Sequence, residues 1–253
     1  RPQYSAHGSR EKIYIYGKHA LMEALSYAPH AVRKVFLSPE VDDADLRGLL
    51  KKLNLSPAVL KTSEMGRLVG RETAHQGVIA VTDPDALMID FKEFAAALRS
   101  TEQTMLVLLD ELTDPHNVGA IIRSAAAFGA AGVLIPEHNQ APITGTVVKT
   151  SAGMAFRIPL ISIGNVNQAV DALKKIGFVT YGLVMNGSQN IMDEKFDAPA
   201  LFIIGNEGEG IRQKTMERCD VSLRIPMNDR TESLNASVSA AVVLYQWSVR
   251  HPV

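Results

Sequence analysis

The chain has 253 residues, 46% of them hydrophobic and 21% charged, enough for one large or two smaller globular domains and too apolar for extensive intrinsic disorder. Its single cysteine, Cys219, excludes an internal disulfide, and the longest apolar runs, such as Met105 to Leu109, are far too short to span a bilayer. Lys and Arg number 26 against 27 Asp and Glu, a net charge of −1 that argues against a phosphate-rich partner; cut near Asp85, the two parts carry 12 basic and 10 acidic, then 14 basic and 17 acidic residues.

The first eleven residues are polar, show no apolar period and are expected to be a disordered N-terminal remnant. With no leading apolar segment, the chain reads as cytoplasmic. From Ile13 the pattern alternates: a strand at Ile13 to Tyr16, a helix over Lys18 to Tyr27, a strand at Lys34 to Leu37 and a helix over Asp45 to Leu53. A short strand at Ala58 to Leu60, a helical turn near Ser63 to Val69 and a β-branched strand at Val78 to Thr82 complete a small α/β domain over residues 12–83. Asp83-Pro84-Asp85 signals a turn, and residues 84–103 read as a linker carrying one amphipathic helix with Phe91, Phe94, Ala95 and Leu98. In residues 104–253, strands are expected at Met105 to Leu109, Gly132 to Ile135, Phe178 to Val184, Leu201 to Ile204 and Val221 to Ile225, with helices between them. That alternation predicts a mostly parallel sheet covered on both faces. In the last helix, about Leu234 to Val249, the spacing of Leu234, Val238, Ala241, Val242 and Tyr245 predicts one buried face.

Three segments carry chemistry. Leu109 to Arg123 runs from a strand end into a helix, with Asp114 suited to cap it and Pro115 to its first turn, while Gly129 ends it. Arg123 borders the apolar stripe of Val118, Ile121, Ile122, Ala125 and Ala126. It is either a structural ion pair, a snorkelling side chain or a group awaiting an anion. Ala200 to Ile211 takes a buried strand into a glycine-rich turn, which is a ligand loop or a plain loop. Its G-x-x-G-x-G spacing is not the dinucleotide fingerprint, and Glu207 and Glu209 would repel a pyrophosphate but welcome a cation. In the third, Leu223-Arg224-Ile225-Pro226-Met227 is followed by a loop and by Ser233-Leu234-Asn235-Ala236-Ser237. Ser233 has the chemistry of a helix cap, Asn235 lies inside the helix, and the small residues suit tight packing. His116 has no second ligand cluster around it, so no metal is expected; Cys219, without a helix start or a His partner, is not a nucleophile.

Taken in order, N-x-x-x-x-x-R, G-N-E-G-x-G and I-P-M with S-L-N-x-S resemble the three motifs of the SpoU family of RNA 2′-O-ribose methyltransferases, in the trefoil-knotted SPOUT superfamily. Residues Ile13 to Val81, with His75-Gln76-Gly77, are similar to that family's substrate-binding domain. The resemblance implies two α/β domains, the second knotted, and S-adenosylmethionine held by Gly205, Gly210, Ile225, Met227 and Leu234. It implies catalysis by Arg123, with Asn117, Glu207, Ser233 and Asn235 shaping the site. It also implies a homodimer through the C-terminal domain, no membrane partner, and structured RNA as substrate. His75-Gln76-Gly77 and Thr113 to Gly119 most resemble the enzyme acting on a guanosine of bacterial 23S rRNA; a tRNA ribose methyltransferase and a non-catalytic RNA-binding assembly protein are the alternatives. A guanidinium keeps its proton to above roughly pH 12. Arg123 is therefore expected to hold a phosphate and stabilise the developing alkoxide. Under this reading the charge balance counts for less than its distribution, and Lys18, Arg33, Lys34 and Arg71 are expected to add to an RNA face around Arg123.

Overall fold

The computed structural model describes residues 12–70, 75–228, 230 and 233–252, and the chain divides into two compact units, Arg1–Leu87 and Met88–Val253. No helix among the described residues is long and apolar enough to cross a membrane.

In the first unit, β1 (Ile13–Tyr16), α1 (Lys18–Tyr27), β2 (Val32–Leu37), α2 (Ala44–Lys52), β3 (Ala58–Val59), α3 (Thr62–Val69) and β4 (Val78–Thr82) follow the expected order. The sheet runs β1-β4-β2-β3, with β4 antiparallel to both of its neighbours and β3 parallel to β2. All five residues of the central strand β4 are buried. Leu21, Ala24 and Leu25 of α1 and Leu46 and Leu50 of α2 are buried with it. Asp43 caps α2 by accepting the Leu46 N–H at 2.9 Å. His75-Gln76-Gly77 is a structural turn: Gln76 Oε1 accepts the first N–H of α1 from Lys18 at 3.3 Å, His75 Nδ1 accepts from Gly77 N at 3.1 Å, and the Gly77 carbonyl accepts Ser38 N at 2.8 Å.

The cations expected on an RNA face are partly spoken for. Lys18 is paired with Asp43, and Arg33 Nη2 lies 2.7 Å from Asp83 Oδ2. Lys34 Nζ sits 4.8 Å from the centroid of Phe36, and Arg71 lies outside the described residues. Two of the four charges are thus balanced at home.

In the second unit the chain runs β5 (Met88–Asp90), α4 (Phe91–Ala97), β6 (Met105–Asp110), α5 (Pro115–Ala127), β7 (Gly132–Pro136), α6 (Gly145–Thr150), β8 (Leu160–Ile163), α7 (Val166–Lys175) and β9 (Val179–Leu183). It ends with β10 (Gln189–Asn190), β11 (Ala200–Gly205), α8 (Gln213–Met216), β12 (Val221–Arg224) and α9 (Ala236–Arg250). These strands form a sheet ordered β10-β12-β9-β11-β6-β7-β8-β5 in which every pairing is parallel. Its centre is apolar: Met105 to Leu109 and Leu201 to Ile203 are fully buried, as strands covered on both faces must be. One cluster joins Leu106, Leu108, Leu134, Ile161, Leu201 and Ile203 to Val170 and Leu173 of α7. Elsewhere, α5 packs against α6 and α9.

Three expectations are corrected. The segment read as a linker with one helix contributes β5, parallel to Leu160–Ser162, and the short α4, capped by Asp90. Phe91, Phe94 and Leu98 pack on the core cluster rather than stand in a polar setting. An edge strand of three residues leaves too little alternation to be read. Secondly, α9 begins after Asn235, whose Oδ1 accepts from Ser237 N at 2.9 Å and Val238 N at 3.4 Å; Asn235, not Ser233, is its cap. Thirdly, the stripe expected inside is not the buried one: Val238 is 47% and Tyr245 57% exposed and Leu234, Ala241 and Val242 are half-buried, while Ala240, Val243, Leu244 and Trp247 are buried. Both stripes have helical spacing, and periodicity alone does not say which one faces the sheet.

Two outcomes follow from this packing. A Cβ at Gly119 would lie 2.7 Å from Thr150 Cβ and 2.8 Å from the Val147 carbonyl oxygen. Alanine gains about 1 kcal/mol in helix propensity, but overpacking against a neighbouring backbone costs about 1–3 kcal/mol. Gly119→Ala is expected to lower the Tm by a few degrees in scanning calorimetry. In the first unit, the Arg33 guanidinium holds the Asp83 carboxyl below its ordinary range despite the opposing push of burial. A carboxyl depressed on folding stabilises above its unfolded value and loses that contribution as pH falls through the folded one. Arg33→Ala should therefore weaken the pH dependence of stability below about pH 4, measured by denaturant midpoints.

Candidate active site

The three chemistry-bearing segments meet because of strand order. β6 and β11 are neighbours in register, Asp110 opposite Gly205, so the turn leading into α5 and the glycine-rich loop leave the sheet side by side. β12, beyond β9, delivers the third segment to the same edge. In parallel α/β sheets this carboxyl end of the strands is where ligands bind.

The glycine-rich loop is closed on itself. Asn206 and Gly210 exchange two backbone hydrogen bonds of 2.9 Å. Asn206 Oδ1 accepts from Gly208 N at 2.8 Å and Glu209 N at 3.2 Å, while its Nδ2 donates to the Glu111 carbonyl at 2.7 Å. Only glycine fits at 205, because a Cβ there would lie 2.3 Å from both Gly210 C and Ile211 N. A second tie lies beneath the loop. Asp110, fully buried, accepts from Arg212 N at 3.0 Å and Nε at 2.8 Å and lies 2.6 Å from Nη2. Arg212 Nη1 meanwhile donates to Glu111 Oε1 at 2.9 Å.

Beside this loop lies a cleft of about 490 Å³ lined in part by Leu183 to Asn186, Ile204 to Ile211, Ile225 and Met227. Gly205, Gly210, Ile225, Met227 and Leu234, the residues expected to hold a cofactor, all line it. Its titratable lining groups among the described residues are Glu207 and Glu209, with no Lys or Arg. That lining suits a cationic ligand and disfavours a phosphate.

Of the residues expected to act in catalysis, Glu207 and Ser233 line the cleft. Asn117 is buried in the first turn of α5 and donates through Nδ2 to Glu207 Oε1 at 2.9 Å, and Asn235 Nδ2 donates to Asn117 Oδ1 at 3.0 Å. The structure therefore links one residue from each of the three segments. Arg123 is not in that cluster. It is exposed on α5 and neither crowded nor held by an ion pair or hydrogen bond with any described residue.

His116 Nδ1 lies 3.4 Å from Thr150 Oγ1, and no group of potential metal ligands exists among the described residues. Burial, reinforced by Asp220, pushes the Cys219 thiol up to about 12, which keeps it protonated and unreactive at neutral pH. Sequence reading missed Asn206, Asp110 and Arg212. The signal available was Asp110 itself: a carboxylate ending the apolar strand Met-Leu-Val-Leu-Leu-Asp needs a partner wherever that strand is buried.

Stripping a fully buried carboxylate of its charge partner is destabilising, and the loss is moderated here because the Arg212 side chain is 42% exposed. Arg212→Ala is expected to lower the Tm by several degrees, and adding Asp110→Asn should restore part of the loss, since no charge is then left alone.

Comparison with known proteins gives the same picture over nearly the whole chain. Residues 104–245 match the model of the SpoU rRNA methylase family, and residues 14–88 match that of the RNA 2′-O ribose methyltransferase substrate-binding domain. A Staphylococcus haemolyticus protein named as a TrmH-family tRNA/rRNA methyltransferase is 32% identical over 246 residues, 96% of this chain and 98% of its own. A Staphylococcus aureus protein of the same name is 33% identical over 246 residues, with the same coverage. Among solved structures, the SpoU methyltransferase AviRb from Streptomyces viridochromogenes, in complex with AdoMet, superposes with a TM-score of 0.80 at 24% identity, covering 95% of this chain and 90% of that one. The AdoMet-bound rRNA methyltransferase from Sinorhizobium meliloti gives 0.81 at 20% identity, covering 96% and 88%. With a substrate-binding unit, a parallel-sheet unit and three motifs meeting at one strand edge, the chain belongs to the SpoU family of RNA methyltransferases.

Proposed function

We propose that the protein transfers the methyl group of S-adenosylmethionine to the 2′-hydroxyl of a ribose in structured RNA, with a guanosine of 23S rRNA as the target. The observation that carries this reading is the hydrogen-bonded chain Glu207–Asn117–Asn235 beside a cleft whose charged lining, among the described residues, is acidic. The donor's sulfonium is a cation, so Glu207 and Glu209 complement it where they would repel a pyrophosphate. Gly205, Gly210, Ile225, Met227 and Leu234 would hold it, Gly205 by letting the loop backbone at Gly210 and Ile211 close onto it and shape that wall of the cleft. When bound, it supplies an electrophilic methyl group; the rest of the catalysis is positioning and charge.

The Arg123 guanidinium, exposed and without an ion pair or hydrogen bond to any described residue, is open to a target phosphate. A guanidinium is a poor base. Its role in this reading is to grip the phosphate beside the target ribose and stabilise the alkoxide as charge develops. Ser233, exposed at the cleft rim and free of the capping duty that Asn235 performs, is available to the ribose. The resemblance of His75-Gln76-Gly77 and Thr113 to Gly119 supports the 23S guanosine. The exposed Val238, Tyr245 and Val249 on one side of α9 support a homodimer through this unit, because apolar surface in such a group favours burial against a second copy.

Arg123→Lys tests the role of the fork: lysine keeps the charge but loses the bidentate geometry. Its kcat is expected to fall by on the order of 10²-fold; near-full turnover would refute the phosphate grip. Mapping ribose methylation across rRNA and tRNA in cells lacking the gene tests the substrate. Loss of one 23S guanosine methyl group is expected, whereas an intact rRNA pattern with a missing tRNA mark would move the target to tRNA.

A further inference from the structure

The hydrogen bonds joining Glu207, Asn117 and Asn235 have a direction, and helix α9 sets it. Asn235 Oδ1 accepts from Ser237 N at 2.9 Å, Val238 N at 3.4 Å and Ser237 Oγ at 2.6 Å. Backbone N–H groups can only donate, so the amide oxygen must face the helix and the amide nitrogen must face Asn117. Asn117 then has its oxygen turned to Asn235 at 3.0 Å and its nitrogen to Glu207 Oε1 at 2.9 Å. At 6% exposure, Asn117 cannot reverse and satisfy itself with water at low cost. Glu207 is therefore offered a donor, which matches a carboxylate and mismatches the acidic hydroxyl. Its second oxygen has no hydrogen bond to a described residue, and the side chain lines the cleft.

We propose that Glu207 is the proton acceptor of the methyl transfer, held as a carboxylate by an amide relay whose direction the α9 N-terminus fixes. This rests on the ribose-methylation reading above. As the bond from O2′ to the methyl carbon forms and the carbon–sulfur bond breaks, the O2′–H bond breaks and its proton passes to Glu207 Oε2. The sulfur keeps the bonding pair as a neutral thioether, so one cation and one carboxylate become two neutral groups. Exposed at the loop, Glu207 then returns the proton to solvent. Arg123 stays cationic throughout. Among the described residues, the other titratable and charged groups on the surrounding elements are Glu209 and Arg212 on the same loop, Glu111 on the turn before α5, Asp114, His116 and Arg123 on or capping α5, Arg230 before α9, and Tyr245 and Arg250 on α9; none of them forms an ion pair with Glu207.

Asn235→Asp tests the relay because aspartate caps a helix as well as asparagine but has no donor for Asn117. The Asn117 amide must then turn its nitrogen toward position 235 and its oxygen toward Glu207, which favours the protonated acid. The acid limb of the kcat–pH profile is expected to move up by about one unit or more, with the Tm close to wild type. The Glu207 carboxyl midpoint should move the same way in ¹³C NMR without RNA or cofactor, assigned by its loss in Glu207→Gln. Asn235→Ser also caps and adds no charge, and its shorter side chain withdraws the amide donor from Asn117; it should shift both readouts in the same direction by less, which separates the relay from simple charge repulsion. Glu207→Gln should lower kcat by about 10²-fold or more while calorimetry finds the S-adenosylmethionine Kd retained. Unmoved profiles and midpoints in both Asn235 variants, or a Glu207→Gln enzyme keeping more than about a tenth of kcat, would overturn the proposal while leaving ribose methylation standing. A wild-type protein with no S-adenosylmethionine-dependent ribose methylation would overturn both.

Discussion

A buried carboxylate at the end of an apolar strand is costly alone, and the way Asp110 is satisfied organises the rest of the site. Arg212 reaches it from beyond the glycine-rich loop, through backbone and side chain together. The loop after β11 is thereby fastened to the turn after β6. Asn206 repeats the connection one layer out, through the Glu111 carbonyl. With both ends of the loop fixed, Glu207 sits where Asn117 can reach it from the adjacent helix. Glycine at 205 is required by the same geometry, since the loop folds back onto that residue. Fixing donors and acceptors before a substrate arrives lets a site avoid the reorganisation cost at the moment of reaction.

Much of this was legible in the sequence, and where it was not the causes are physical. β1, α1 and β4 fall where their apolar alternation and helical spacing put them, because each strand carries a burial pattern long enough to register. β5 and β8 carry no legible signal: the first has three residues, and the second, Leu-Ile-Ser-Ile, is as short as β1 but lacks its strict alternation of buried and half-buried positions. α9 has two interleaved apolar stripes, one for the sheet and one exposed, and nothing in the spacing ranks them. Residue type points to Ser233 as the cap of α9, but Ser and Asn are equally good caps, and tertiary demand for Asn235 decides between them.

The candidate site divides in the same way. All five residues expected to hold a cofactor line one cleft, and Asn117, Glu207 and Asn235 form one chain of hydrogen bonds. Motif spacing could point to those residues because they sit close in sequence to strand ends. The clamp of Asp110 and Arg212 joins positions about a hundred residues apart and follows only from the pairing of β6 with β11. Charge was the least informative signal. A net of −1 hides an acidic cleft, while two of the basic side chains expected to meet RNA are engaged by Asp43 and Asp83 within their own unit.

The central claim is that a methyl group moves to a ribose oxygen and not to a base. It is tested most directly by incubating the protein with RNA and S-adenosylmethionine carrying a trideuterated methyl group, then digesting to nucleosides for mass spectrometry. The account predicts the label in a nucleoside whose fragmentation leaves the methyl on the sugar. Label retained on the base fragment, or no label transferred to any RNA while the cofactor binds, would contradict it.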